Sequence, residues 1–170
     1  IRNALHPDTD LAIDAHWAYT PVDILKIAKE LEHLDLLWLE DPIPAENVEA
    51  MLRVKNSTST PISTGENFYT RHGFRELIQS QAADIVTPDI AKAGGLLESK
   101  RIAELADLYY MPLAPHNICS PIGTYAMMHV CAAVPNFLAL EFHHLDNELW
   151  SNLTQEGPMI VNGHINVPEK

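Results

Sequence analysis

Cysteine is scarce in this chain, with only Cys119 and Cys131 among 170 residues. Their spacing fits neither a disulfide framework nor the paired arrangement of zinc sites, so both are expected to be small apolar fillers. Positive charge is scarce too: 11 Lys and Arg stand against 23 Asp and Glu, for a formal net charge of −12. The few cations are scattered, which argues against nucleic acid or an anionic membrane surface as partner. An anionic ligand would therefore need a local source of positive charge. Long apolar runs are also missing, since stretches such as Leu34 to Leu39 fall far short of the ~20 residues that span a bilayer. No charged-then-apolar leader opens the chain, and a cytoplasmic protein is the expectation. The first residue is Ile1 rather than Met, inside what reads as the tail of a helix over Ile1 to Leu5, so a fragment of a longer protein is expected.

What is present is enough apolar material, 46% of residues, for one globular domain with a sizeable core. Short β-rich apolar runs alternate with longer stretches of helical periodicity, the pattern of βα units building a parallel sheet. Strands are expected at Leu11 to Ile13, Leu36 to Leu39, Ile62 to Thr64, Ile85 to Thr87, Pro112 to Ala114 and Phe137 to Leu140. Helices are expected over Pro21 to His33, Ala45 to Lys55, Thr70 to Gln79, Leu96 to Tyr109 and Ile122 to Ala133. The first of these has Thr20, Pro21 and Asp23 in favourable N-terminal positions. No low-complexity linker interrupts the series before about residue 145. Beyond it, Gly157-Pro158 and Asn162-Gly163 mark a turn-rich tail, with a hairpin over Met159 to Val167. The domain expectation is thus a barrel part over 1–145 and a tail over 146–170.

Six βα units suit either a doubly wound sheet or most of an eight-stranded barrel, and periodicity does not choose between them. The strand ends are more informative. Asp14, Glu40, Glu66, Asp89, His116 and Glu141 each follow a strand, at spacings of about 25 residues, or one βα repeat. Any one of them has an ordinary explanation as a turn or cap residue. Six in phase are harder to explain that way, and barrel closure would bring them around one mouth. Three carboxylates at one mouth raise one another's pKa unless a cation lies between them. Oxygen donors without a Cys or His pair suit Mg²⁺, with Mn²⁺ as the other candidate.

Asp89 and His116 end neighbouring strands, which makes an orienting hydrogen bond to the imidazole plausible and equips His116 as a general base or acid. His16 lies two residues past Asp14, so in an extended segment both point the same way, and His16 is a candidate ligand or proton donor. His143 and His144 follow Glu141 closely enough to line the mouth. His6, His129 and His164 are expected at the surface. Gly94-Gly95 is expected to be a tight turn, because no phosphate-binding lysine accompanies it.

The segments Asp14-Ala15-His16, Trp38-Leu39-Glu40-Asp41-Pro42, Thr64-Gly65-Glu66-Asn67, Pro88-Asp89-Ile90 with Gly94-Gly95, Ala114-Pro115-His116-Asn117 and Glu141-Phe142 resemble the enolase superfamily, specifically its mandelate racemase-like sugar-acid dehydratases. The resemblance runs in the family's order along nearly the whole chain. It implies an α/β fold, a TIM-like (β/α) barrel carrying strands three to eight. The family's N-terminal α+β capping domain and first two strands are then missing, and the tail would pack on that capping domain.

By the same resemblance, Mg²⁺ held by Asp14, Glu40 and Glu66 binds the substrate carboxylate and stabilises an enediolate. His116, paired with Asp89, is the base; Glu141 hydrogen-bonds the carboxylate; His16 protonates the departing 3-hydroxyl. The Asp-x-His pattern favours dehydration of a small sugar acid to a 2-keto-3-deoxy acid. A racemase or epimerase of a 2-hydroxy acid using the same metal site is the alternative, and an inactive metal-binding fragment is the alternative from another class. The full-length form is expected to be a homo-oligomer.

Overall fold

The structure is a computed structural model and describes residues 1–143, 150, 153 and 159–167. Four parallel strands, β1 (Ile13–Asp14), β2 (Leu39–Glu40), β3 (Ile62–Thr64) and β4 (Ile85–Val86), form a sheet in chain order. Between them run α1 (Pro21–Leu31), α2 (Val48–Lys55) and α3 (Thr70–Gln79). After β4 come α4 (Ile90–Ala93), α5 (Leu96–Asp107) and α6 (Pro121–Cys131). The fifth and sixth expected strands are reduced to parallel bridges, Val86 with Leu113 and Leu113 with Phe137. Pro112 and Pro115 flank Leu113, and a residue without an N–H cannot extend a ladder. The parallel register is nonetheless continuous: Ala114 N–H donates to Val86 O at 3.0 Å and Leu138 N–H to Leu113 O at 2.8 Å. Among the described residues, β1 and the Phe137 position pair on one side only.

Four of the helices, α1, α2, α3 and α5, cover the sheet with an apolar stripe at helical spacing. Ile24 and Ala28 of α1, Met51 and Val54 of α2, Phe74, Leu77 and Ile78 of α3, and Ile102, Ala103 and Ala106 of α5 are buried with Leu39, Ile62 and Val86 of the strands. Helix starts follow local chemistry. The Thr20 hydroxyl accepts from Asp23 N–H at 3.3 Å ahead of Pro21, and Asn47 Oδ1 accepts from Ala50 N–H at 2.9 Å. Asn47 starts α2 three residues later than expected, after a turn at Ala45 and Glu46 that follows Pro42 and Pro44. The short helix α4 is unanticipated; Asp89 caps it, and Gly94 at φ 111° ends it. Gly95 at φ 87° completes the tight turn into α5. In the tail, Val161 and His164 bridge antiparallel around Asn162 (φ 51°) and Gly163 (φ 77°), a tight hairpin turn. His144 lies outside the described residues. No helix among the described residues is long and apolar enough to cross a membrane.

Candidate active site

Parallel pairing places all six strand-end groups on one edge of the sheet, the C-terminal edge where barrel enzymes carry their sites. Asp14 and Glu40 end β1 and β2 and face each other as Cα partners. Glu66 lies just past β3, Asp89 past β4, and His116 and Glu141 past the Leu113 and Phe137 bridges.

The tightest geometry is at His116. Its Nδ1 is 2.8 Å from Asp89 Oδ2, and both residues are buried. The second carboxylate oxygen of Asp89 accepts from the backbone N–H groups of Ala91 and Lys92, at 2.8 and 3.0 Å. Asp89 therefore caps α4 and orients the His116 ring at once. Burial alone would raise the Asp89 pKa, but the hydrogen bonds from His116, Lys92 and Ala91 outweigh it and hold the carboxyl below its ordinary value. Burial would likewise lower the His116 pKa; the Asp89 hydrogen bond and the Glu66 and Glu141 carboxylates outweigh that and raise it. The other ring nitrogen, Nε2, lies 3.3 Å from Glu66 Oε2 and 3.9 Å from Glu141 Oε2.

The carboxylates feel one another across the mouth. Burial pushes Glu40 up to about 7 against the hydrogen bond from the Trp38 indole, with Asp41, Asp14 and Glu141 adding to the rise. Burial also pushes Asp41 up to about 6 against its hydrogen bond from Thr64, with Glu66 and Asp14 adding. Hard oxygen donors whose mutual repulsion is unrelieved suit a divalent cation of the Mg²⁺ class, so Asp14, Glu40 and Glu66 fit it by donor chemistry. Among the described residues, no three such side chains are already drawn together into a cage. Glu66 instead pairs with His116 and, at 3.7 Å, with Lys92 Nζ.

His16 sits at the rim, 65% exposed, with Nδ1 3.8 Å from Asp14 Oδ2 and its backbone N–H donating to Asp14 Oδ1 at 2.7 Å. The ring stacks on Trp17 at a centroid distance of 3.8 Å. His16 and Trp17 have positive φ (48° and 47°), a conformation that costs non-glycine residues and is concentrated at functional sites. Glu141 is held from below: Asn117 N–H donates to its Oε2 at 2.8 Å, and Asn117 Nδ2 donates to its carbonyl at 3.0 Å and to Thr124 Oγ1 at 3.1 Å. His143 Nε2 stands 3.1 Å from Glu141 Oε1, which places His143 at the mouth. His6, His129 and His164 are exposed, as expected.

Three contributors escaped the sequence: Lys92, Asn117 and Asp41. Lys92 supplies a local cation, bonding Asn67 Oδ1 at 2.9 Å beside Glu66. Its signal was its place one helical turn after Asp89, and only α4 brings it to the mouth.

Comparison with known proteins bears on the fold and the family. The family model described as "Enolase C-terminal domain-like" matches residues 1–170. The chain is 46% identical over its whole length to D-xylonate dehydratase of Haloferax volcanii, covering 41% of that protein. It is 32% identical, again over its whole length, to arabinonate dehydratase of Saccharolobus solfataricus, covering 45% of it. Among solved structures, a mandelate racemase/muconate lactonizing enzyme-like protein from Rubrobacter xylanophilus superposes with a TM-score of 0.93 at 50% identity, over 98% of this chain and 43% of that one. The chain thus spans well under half the length of the relatives it matches. It belongs to the enolase C-terminal domain-like family, and its parallel sheet with covering helices is part of that family's (β/α) barrel.

Proposed function

We propose that the whole protein is a divalent-metal-dependent dehydratase of acid sugars, converting an aldonate to a 2-keto-3-deoxy acid. The observation that carries this reading is the buried Asp89–His116 pair at 2.8 Å, with Nε2 turned toward the strand-end carboxylates. The named dehydratases of xylonate and arabinonate among the relatives support the substrate class. A Mg²⁺ or Mn²⁺ ion held by Asp14, Glu40 and Glu66 would supply positive charge to the substrate carboxylate when bound.

The chain's own residues then divide the work. Asp89 holds Nδ1–H, and with Glu66 engaged as a metal ligand in place of its contact with Nε2, the Nε2 lone pair of His116 would be available to take the proton α to the carboxylate. Glu141, steadied by Asn117, hydrogen-bonds the substrate carboxylate, which requires its carboxyl to carry a proton in the complex. His16 donates a proton to the 3-hydroxyl as the C3–O bond breaks; the electron pair of the lost C2–H bond becomes the C2–C3 double bond, and water leaves. The resulting enol takes a proton at C3 and gives up the proton of its 2-hydroxyl to become the 2-keto acid.

The test is His16→Asn in deuterated solvent. Dehydration should vanish while exchange of the α-proton with solvent continues, because the base is untouched. If dehydration persists undiminished, His16 is not the acid; racemised substrate in place of keto acid would support the racemase alternative.

A further inference from the structure

A side chamber of about 220 Å³ opens beside the mouth, walled by Trp17, Phe68, Asp41, Asn67, Glu46 and Thr64. Trp17, Asp41 and Asn67 directly follow His16, Glu40 and Glu66, so the chamber is built from the same strand-end loops as the proposed catalytic groups. Two contacts tie it to them. The Trp17 ring stacks on His16 at 3.8 Å, and the Lys92 ammonium touches both Glu66 at 3.7 Å and Asn67 at 2.9 Å.

Its most informative atom is Asp41 Oδ2. Asp41 is only 3% exposed; Thr64 satisfies Oδ1, whereas Oδ2 is buried with no hydrogen-bond partner. Buried polar atoms in folded proteins are nearly always paired, and leaving an acceptor unpaired costs free energy, so a lone carboxylate oxygen on a residue that lines a chamber marks a place for a donor. The chemistry of the walls narrows what that donor belongs to. Aromatic faces beside a strong acceptor suit a hydroxylated carbon chain, whose C–H groups pack on rings while its O–H groups donate to carboxylate. A bare divalent ion fits less well, since the described walls offer two carboxylates, Asp41 and Glu46, and no His or Cys.

We propose that this chamber receives the distal hydroxyls of an acid-sugar substrate, with Asp41 Oδ2 accepting a hydroxyl hydrogen and the Trp17 ring packing against the carbon chain. Asp41 and Trp17 then set the preferred chain length. The inference rests on the acid-sugar reading above and adds where the end of the substrate remote from the reacting carbons is held.

The experiment measures binding, not turnover. Full-length protein loaded with Mg²⁺ and carrying His116→Asn is titrated by calorimetry with glycerate and with four-, five- and six-carbon aldonates. Affinity should rise about 10- to 100-fold from glycerate to the five-carbon acid, the scale of one hydrogen bond to a buried charged group. Adding Asp41→Asn should shrink the ratio of five-carbon to glycerate affinity toward one, whatever its effect on the glycerate affinity itself. If Asp41→Asn does not fold, Trp17→Leu, placed on the rim, carries the test and must shrink the same increment. An increment that is absent from the parent, or unchanged in a folded Asp41 or Trp17 variant, overturns the proposal. Turnover by the unsubstituted protein separates the two ideas. No dehydration of any aldonate, with an Asp41-dependent increment, sinks the dehydratase reading and keeps the chamber as a polyol site; dehydration with an Asp41-independent increment does the reverse.

Discussion

Replacing Gly65 by Ala should damage both the fold and the site, and the size of the effect follows from the packing. Gly65 has φ +140°, and a Cβ placed on it would lie 2.7 Å from Phe74 Cε1 and 3.2 Å from Thr87 N. Carbon atoms pack comfortably at about 3.5–4.0 Å, so either the Phe74 ring or the end of β3 must move. Phe74 is fully buried among the α3 and α5 side chains and has no free space to retreat into. Backbone strain at this φ costs about 1–3 kcal/mol and overpacking about 1–3 kcal/mol more. A total of about 2–6 kcal/mol is a large share of the roughly 5–15 kcal/mol that keeps a domain folded. The assay is denaturant unfolding followed by two probes, repeated for Phe74→Leu and for the double variant. Leucine removes the ring edge, so the double variant should regain about 1–3 kcal/mol relative to the sum of the singles while the backbone strain persists. A loss below about 1 kcal/mol for Gly65→Ala, or additive single effects, would refute the proposed clash.

Asp89→Asn should keep the α4 cap yet lower the rate about 10²- to 10⁴-fold, and the acid limb of the pH profile should move to lower pH as His116 loses the carboxylate that holds its pKa up; a pH–rate profile superposing on the parent's would remove His116 from the base role. In chelator, thermal stability should fall as pH rises, because the folded state keeps protons on Glu40 up to about 7 and on Asp41 up to about 6 that the unfolded chain releases near the ordinary carboxylate range. That contribution is complete below about pH 4 and gone above about pH 7; added Mg²⁺ should therefore stabilise more at pH 8 than at pH 5, and a scanning-calorimetry gain independent of pH would contradict it. Burial pushes the Cys131 thiol up to about 12 and raises Cys119 less. A thiol reagent at pH 8 should label half-buried Cys119 slowly and Cys131 only after unfolding, and rapid labelling of Cys131 by mass spectrometry in native protein would count against its buried position. Asn117→Ala should loosen Glu141, raising KM more than it lowers kcat if Glu141 binds the substrate carboxylate; equal falls in kcat and kcat/KM would place Glu141 at the reacting carbon.

Local sequence carried far on the elements and less far on their contacts. The period-2 and period-3.6 patterns locate α3 to the residue and β3 to the residue, because each is bounded by sharp turn chemistry. The same patterns overextended the fifth and sixth strands, of which only Leu113 and Phe137 form bridges; Pro112 and Pro115 limit the fifth. They also missed α4, a helix too short to show periodicity, whose only local signature is the Asp89 cap and Gly94.

What the sequence by itself determined is the repeat: six chemistry-bearing residues one βα unit apart, hence the same end of each successive strand, since the phase of a residue along its own βα unit is a local property. Tertiary structure alone decided which of them touch. Asp89 meets His116 because β4 and the Leu113 position are adjacent in the sheet, Lys92 reaches Glu66 because α4 tips it toward the mouth, and Asp41 is left with an unpaired oxygen because three loops close around it. Distances of this kind depend on side chains more than 20 residues apart in sequence, and no local pattern encodes them; packing of the helices on the sheet does.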